Sequence, residues 1–472
     1  MTKVGHRQHG SATRAAQAQV ASKADELRAR NGLVFKGAFD NKRLTDKIAF
    51  HCGEYRERVY GPGETLFAFM SQSISSDRSC EEAVARVNAD RIAAGQSPAS
   101  SDTGAYCRAR ERLPEPIIQE LTTETGQEME EQVPVKWLWK GRHAKLVDGS
   151  TLTMADTPEN QAAYPQSSSQ AKGCGFPITR LVAIFSLVTG CLLEMAHGAY
   201  RGKQTGEHAL LRQILHCFQA GDVAVGDAYY AAFFLFALLR AMGVDAVFAA
   251  HGSRKADFRA GVRLGKGDHV VSWKKPAKPG WMDDETYCEL PKTLEIRECR
   301  VSVQIPGFRT KQVALATTML KPSTVTKEEL AHLYARRWTA ELNLRSLKTS
   351  LQLEHLRGKT PAMVRKEIWT TMLAYNMIRK LIGEAAYRYD KTPTQISFKG
   401  AVQHLNAYRS LWMHARHLDS QLVLDHLLFA IARIEVGNRP HRIEPRAVKR
   451  RPKPFPRLKT TRKQARMNLL LN

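Results

Sequence analysis

Four side chains in the segment LYARRWTAELNLRSLKTS, those of Tyr334, Arg337, Glu341 and Lys348, follow one another at spacings of three, four and seven residues. On a helix turning about 100° per residue they fall within one stripe about 60° wide. The stripe sets one carboxylate among two cations and a phenol. A carboxylate can hold a divalent cation while Arg, Lys and Tyr bind phosphate oxygens, so the face suits chemistry on a phosphodiester. The same pattern also suits a solvated face stabilised by (i, i+4) pairs of about 0.2–0.5 kcal/mol. Beside it Leu333, Leu344, Leu347 and Leu351 form an apolar seam that can seat the helix on a core. Thr326 and Glu329 make a capping box at its start, which supports the helix and says nothing of its chemistry.

A metal site for phosphate chemistry needs more than one acid. Asp148 ends the apolar run of KLVDGST and Asp227 ends that of VAVGDAYY, so each carboxylate can emerge at the edge of a core. Asp before Gly is also a common turn residue, which leaves Asp148 a second reading. Asp222 rivals Asp227 but precedes its apolar run, and Asp156 is the weaker choice beside Asp148. The three acids lie too far apart in sequence for a local loop, so only a fold that packs a helix across a sheet can assemble them.

The elements that must do so are legible. KLVDGSTLTM reads as a strand, ITRLVAIFSLVTGCLLEMAHG as two strands joined near Thr189 and Gly190, and HALLRQILHCF as a helix. A strand at DVAVGDAYYA, a helix at AFFLFALLRAMG and a strand at VDAVFAAHG follow, which together imply a mixed α/β sheet. Residues 256–320 read as a β-rich insertion, dividing the α/β core into 141–255 and 321–400. Residues 31–140 read as a helical region, in which CEEAVARVNADRIAAG and SPASSDTGAYCRARERLP resemble a helix-turn-helix with Arg108, Arg110 and Arg112 on its second helix; an ordinary helical hairpin gives the same pattern. Residues 1–30 form a mobile basic start, 401–438 amphipathic helices, and 439–472 a basic tail that five prolines keep extended, read as an electrostatic arm for DNA. A formal charge of +25 over 472 residues favours a polyanionic partner. Eight scattered cysteines without a CxxC pair speak against a zinc knuckle or a disulfide framework. Apolar runs such as AAFFLFALL fall short of the roughly 18 residues needed to cross a bilayer, so the expectation is a soluble cytoplasmic protein without a membrane partner.

With Asp148 in VDGST, Asp227 in GDAYY and the full Tyr-x2-Arg-x3-Glu-x6-Lys pattern at Tyr334, Arg337, Glu341 and Lys348, the chain resembles the DDE transposases of bacterial insertion sequences over about residues 60–440. It departs at Ala228, where relatives often carry Arg or another polar residue. The resemblance implies a ribonuclease-H-like mixed sheet flanked by helical N- and C-terminal regions. It implies that Asp148, Asp227 and Glu341 are the catalytic metal ligands for two Mg²⁺ ions, with Mn²⁺ able to substitute. Tyr334, Arg337, Lys348 and Arg345 would then grip DNA phosphates, Arg254 would touch the backbone, and Trp273 or Trp281 of the insertion would stack on a flipped base. The implied partner is double-stranded DNA, both terminal inverted repeats and target, bound by a homodimer that assembles through the C-terminal helices at the nucleoid. Two rival readings use the same residues: a ribonuclease-H-like nuclease or resolvase that cuts without joining, and a non-catalytic DNA-binding remnant of a transposase.

Overall fold

The computed structural model describes residues 41–56, 58–251, 256–303, 311–413, 420–436 and 459–471, with the backbone alone at 41, 303, 311, 339–341, 410, 412–413 and 420–421. The expected mobile start at 1–30, Arg254, and most of the basic tail lie outside the described residues. The last part of that tail, Arg462–Leu470, is a helix opened by a capping box from Thr461 rather than an extended arm. The chain divides into two compact units: one of residues up to 125 with 346–352 and 365–436, the other of 126–345 and 353–364 with the tail.

The second unit is built on a mixed sheet. Strands β1 (Ala144–Met154), β2 (Ile178–Ser186) and β3 (Leu192–Ala199) form an antiparallel meander, and Gly190 at φ 69° makes the tight turn between β2 and β3. Helix α1 (Glu207–Gln213) then packs on β2 and β3. Strand β4 (Val223–Gly226) returns parallel to β1, helix α2 (Phe233–Ala241) follows, and β5 (Asp245–Ala249) lies parallel to β4. The resulting order, β3-β2-β1-β4-β5, with one antiparallel half and one parallel half, is the ribonuclease-H-like mixed sheet. Leu146, Val182, Ile184, Val225 and Phe248 are all buried to within 2% or less, because strands covered on both faces carry continuous apolar runs.

The β-rich stretch is contiguous with this sheet. Strands β6 (Val262–Gly265), β7 (Asp268–Lys274), β8 (Thr293–Val303) and β9 (Lys311–Thr317) are all antiparallel, and β9 pairs with β5 at Val247–Thr317. The edge of β5, which would otherwise present unpaired amides and carbonyls, is thereby covered. At its heart Arg297, wholly buried, holds Asp268 through two bonds of 2.8 and 2.6 Å and donates to the Val325 carbonyl at 2.7 Å. Trp273 belongs to the same interior. It is 4% exposed, its Nε1 donates to Glu298 at 3.0 Å, and its ring meets Phe236 edge-on at 5.5 Å. The expectation that Trp273 stacks on a base is therefore corrected: an aromatic flanked by basic loops reads as exposed, but alternation along β7 turns it inward.

The segment expected as one helix is broken. Helix α3 (Lys327–Ala335), opened by the capping box of Thr326 and Glu329, packs on β8 and ends in a turn at Arg336 and Arg337. Helix α4 (Trp338–Arg345) packs on β1 and runs into a π-helical turn, Ser346–Ser350, where the Leu351 amide reaches back five residues to the Ser346 carbonyl. The leucine seam is still buried at Leu333, Leu344, Leu347 and Leu351. A short strand, β10 (His355–Leu356), then pairs with the far end of β1.

The other unit is helical, dominated by the long helix Pro361–Arg388. Helices Cys80–Ala93 and Gly104–Arg112 form the expected hairpin, and Asn88 pins the connecting loop by bonding both the amide and the carbonyl of Ala99. Arg108 and Arg112 are exposed, but Arg110 is not available as a DNA contact. Its guanidinium lies 5.0 Å from the Phe69 ring and 4.9 Å from the Tyr106 ring, and it donates to Gln72 and to the sulfurs of Cys80 and Cys107. All eight cysteines are free thiols. Among the described residues no helix is long and apolar enough to cross a membrane.

Two stability measurements follow. Arg297→Met should strand the Asp268 carboxylate in the interior and lower stability by about 3–5 kcal/mol in urea unfolding, whereas replacing both partners with apolar residues should cost much less. Arg110→Ala should cost about 2 kcal/mol through lost packing and cation–π contact, while Arg108→Ala should stay within about 0.5 kcal/mol; equal effects would place Arg110 on the surface after all.

Candidate active site

The register of β1 with β4 builds the site. Their partners run from Ala144–Val223 to Leu146–Val225, so Asp148 and Asp227 each stand two residues past the last pair. Equal offsets on adjacent parallel strands, about 4.8 Å apart, put the two side chains on the same face at the same level. Both are partly exposed. An Asp148 carboxylate oxygen accepts from the Gly149 amide at 2.8 Å, and Asp227 accepts from the Tyr229 amide at 2.8 Å as it caps a short 3₁₀ turn, Ala228–Tyr230. Each acid is thus held by backbone at one oxygen. Asp222, the rival in the sequence, is 5% exposed and paired with buried Lys145 at 2.6 Å, a structural role.

A third acid, not anticipated from the sequence, lies beside them. Glu207, the first residue of α1, rests against Gly149: a methyl group on that glycine would meet the two Glu207 carboxylate oxygens at 2.6 and 2.7 Å. The Tyr230 hydroxyl donates to Glu207 at 3.2 Å. Burial pushes the Glu207 carboxyl above the usual carboxylate range. The Tyr230 hydroxyl and the Arg180 guanidinium oppose that rise, while the charge of Asp227 adds to it. Burial likewise raises the Tyr230 phenol, and the fields of Glu207, Asp148 and Asp227 push it the same way. An acid opening a helix reads in a sequence as a partner of the helix dipole, which hid Glu207. Next to it, His208 is depressed by burial and bonds the Tyr229 carbonyl at 2.8 Å, its ring 4.8 Å from that of the exposed Tyr229.

The remaining expected residues divide. Glu341 lies in α4, which packs on β1, the strand that carries Asp148; its side chain lies outside the described residues. Tyr334 is 9% exposed near the end of α3, with the Arg337 guanidinium 5.7 Å from its ring. Burial depresses the neighbouring Arg336. Arg345 is exposed at the end of α4, and Lys348 stands in the π-helical turn, within the helical unit. Trp281 is partly buried, one face covered by the Arg212 guanidinium at 3.8 Å and its edge set against Phe234 at 6.1 Å, so it too is already engaged by the protein. Among the described residues no three metal-ligating side chains gather within one ion's reach; the two aspartates form the described part of the site.

Comparison with known proteins adds the family. A curated relative, the transposase InsG for insertion sequence element IS4 of Escherichia coli (strain K12), is 27% identical over 304 residues, a match spanning 62% of this chain and 64% of that protein. Among solved structures, a cryo-EM structure of a piggyBac transposase synaptic complex with hairpin DNA is similar with a TM-score of 0.43 and 10% identity, covering 85% of each chain. Residues 139–377, from just before β1 to the middle of the helix Pro361–Arg388, match the transposase DDE domain, and the chain belongs to that family.

Proposed function

We propose that this chain is a DNA transposase, which cuts the ends of an insertion sequence and joins the freed 3′-hydroxyl ends to target DNA in a cut-and-paste reaction. The observation that carries the reading is the level pairing of Asp148 and Asp227 on β1 and β4, with the helix bearing Glu341 packed on β1. Hard carboxylate oxygens presented side by side fit Mg²⁺ or Mn²⁺, and in this reading Asp148, Asp227 and Glu341 hold two such ions. Ions held by these residues would supply acidity to the attacking hydroxyl or water and stabilisation to the leaving oxygen.

The protein supplies position and charge. The backbone bonds to Asp148 and Asp227 fix one oxygen of each acid, so little reorganisation is needed as charge develops. Arg337, backed by the Tyr334 ring, is suited to neutralise a phosphate, and the exposed Arg345 adds a second cation in the same unit; Lys348, in the helical unit, is read as a further phosphate contact. The exposed Arg108 and Arg112 of the helical hairpin, and the net charge of +25, support broader contact with the DNA backbone. Terminal inverted repeats and target DNA are the substrates in this reading, and a homodimer joined by the C-terminal helices is the form that pairs two ends.

Asp148→Ala and Asp227→Ala should each remove several kcal/mol of charge stabilisation, lowering cleavage and strand transfer about a thousandfold or more, while a mobility-shift assay shows terminal-repeat binding within a few fold of the parent. Chelation should stop the reaction, and Mg²⁺ or Mn²⁺ should restore it. Joined product from a 3′-hydroxyl donor end is the decisive readout: cleavage with no joining would identify a nuclease, and unaltered activity in either aspartate variant would remove the site from the chemistry.

A further inference from the structure

We propose that a pocket of about 380 Å³ within the helical unit, lined by Arg86, Lys399 and Arg409, holds one phosphate group of a nucleic-acid strand. The inference rests on the DNA-transposase reading and adds a binding site in the unit that does not carry the aspartates. Three observations carry it. The first is the make-up of the wall. Helix Phe398–Met413 lends it Lys399, Gln403, Asn406 and Arg409, which recur at spacings of four, three and three residues and so share one face. Arg86, from the helix Cys80–Ala93, adds a second guanidinium. None of the described lining residues is a carboxylate; apart from the three cations and the apolar Ile74 and Val402, all carry hydroxyls or amides. Two guanidinium forks and an ammonium among neutral donors match the non-bridging oxygens of a phosphate.

The second is electrostatic. Burial depresses the Arg409 guanidinium and the charge of Arg86 lowers it further, while Asp90 and Glu82 oppose the fall. Glu82 is itself shared, pairing with Arg86 and accepting from the Ser75 hydroxyl. An anion bound between the two guanidinia would relieve their repulsion. The third is preorganisation. Arg78 and Gln352 both lie in the left-handed region, at φ 55° and 50°, and they are bonded to each other. The Arg78 guanidinium donates to the Gln352 carbonyl at 2.6 Å and to Glu367 at 2.8 Å, and the Gln352 side-chain amide donates to the Ser76 carbonyl at 3.0 Å. Gln352 and Ser76 both line the pocket, so this network fixes part of its wall. Backbone strain of this kind collects at ligand clamps. Thr349 and Ser350, also on the wall, end the π-helical turn that carries Lys348.

The competing account is that Arg86 and Arg409 only hold helices together. Ethylation interference with the full chain on a terminal-repeat duplex separates the two, because each ethylated phosphate reports on one contact. Arg409→Gln should weaken binding about tenfold and erase interference at one phosphate position, with the slope of log affinity against log salt falling by about 1. Lys399→Gln, at an exposed position that the fold does not depend on, should erase the same position with a loss of about threefold, and serves in its place should Arg409→Gln fail to fold. An interference pattern left whole in Lys399→Gln and in folded Arg409→Gln, whatever their affinity, would overturn the assignment. Titration calorimetry with inorganic phosphate tests the other source of the same chemistry. Phosphate binding by the parent that either variant abolishes, beside an unchanged strand pattern, would give the pocket to a free phosphate and overturn its assignment to a strand. Asp148→Ala should keep the full pattern; a parent chain that binds no terminal repeat would instead remove the DNA reading, and this inference with it.

Discussion

The pairing of β1 with β4 is the constraint on which the site depends. Parallel strands have no hairpin to set their alignment, so their register must come from side chains and flanking bonds. Here the apolar faces of Leu146, Val223, Ala224 and Val225 are buried completely, and a slip of one residue would turn them toward the wrong layers. The foot of the pair is fastened as well. The Val223 amide donates to the His143 carbonyl at 2.8 Å, Arg142 donates to the carbonyls of Gly221 and Asp222 at 2.7 and 3.0 Å, and Lys145 meets Asp222 in a buried ion pair. The same slip would send Asp148 and Asp227 to opposite faces. Folding and the geometry of the acids are therefore set by one alignment.

Gathering carboxylates at that level has an energetic consequence. Like charges gathered in a partly buried setting repel, so each acid placed there subtracts from stability unless a cation or a donor answers it. The protein answers partly, through amides of Gly149 and Tyr229, the Tyr230 hydroxyl and the Arg180 guanidinium. The rest of the sheet offsets the remainder by burial, with Phe236, Phe248, Tyr230 and Ile184 packed in one cluster beneath the site. Carboxylates held in place before charge develops are what phosphoryl transfer draws on.

Much of this was legible in the chain, and the failures have physical causes. The strands and helices of the α/β core announced themselves because long apolar runs bounded by Gly and Asp have few other readings, and the two strand-end aspartates followed from them. The helix stripe was legible as a motif but not as a continuous helix: neither the turn at Arg336 and Arg337 nor the π-helical turn after Arg345 has a signature in residue type. Trp273 and Arg110 were misjudged for a common reason. Tryptophan and arginine are amphipathic, and whether the ring or the guanidinium faces water is decided by partners distant in sequence, here Glu298 and Phe236 for one and Phe69 and Gln72 for the other. Glu207 was missed because nothing local marks it; only the packing of α1 over Gly149 brings it to the acids.

That packing also ties the β-rich insertion to the site. Helix α1 carries Glu207 at its first turn and Arg212 near its last, and Arg212 covers the Trp281 ring of the insertion while bonding Gln204 at 2.9 Å. Burial depresses the Arg212 guanidinium, so its contact with the ring replaces some of the solvation it gives up. The insertion is thus joined to the core by the β5–β9 pairing within the sheet and, among other contacts, by α1 across its face. A seven-residue helix fixed at one end by an insertion side chain and at the other by the glycine beside Asp148 has little freedom to shift alone. One short helix thus sets the insertion's Trp281 against one end and the glycine beside Asp148 against the other, so the placing of Glu207 depends on packing from both sides.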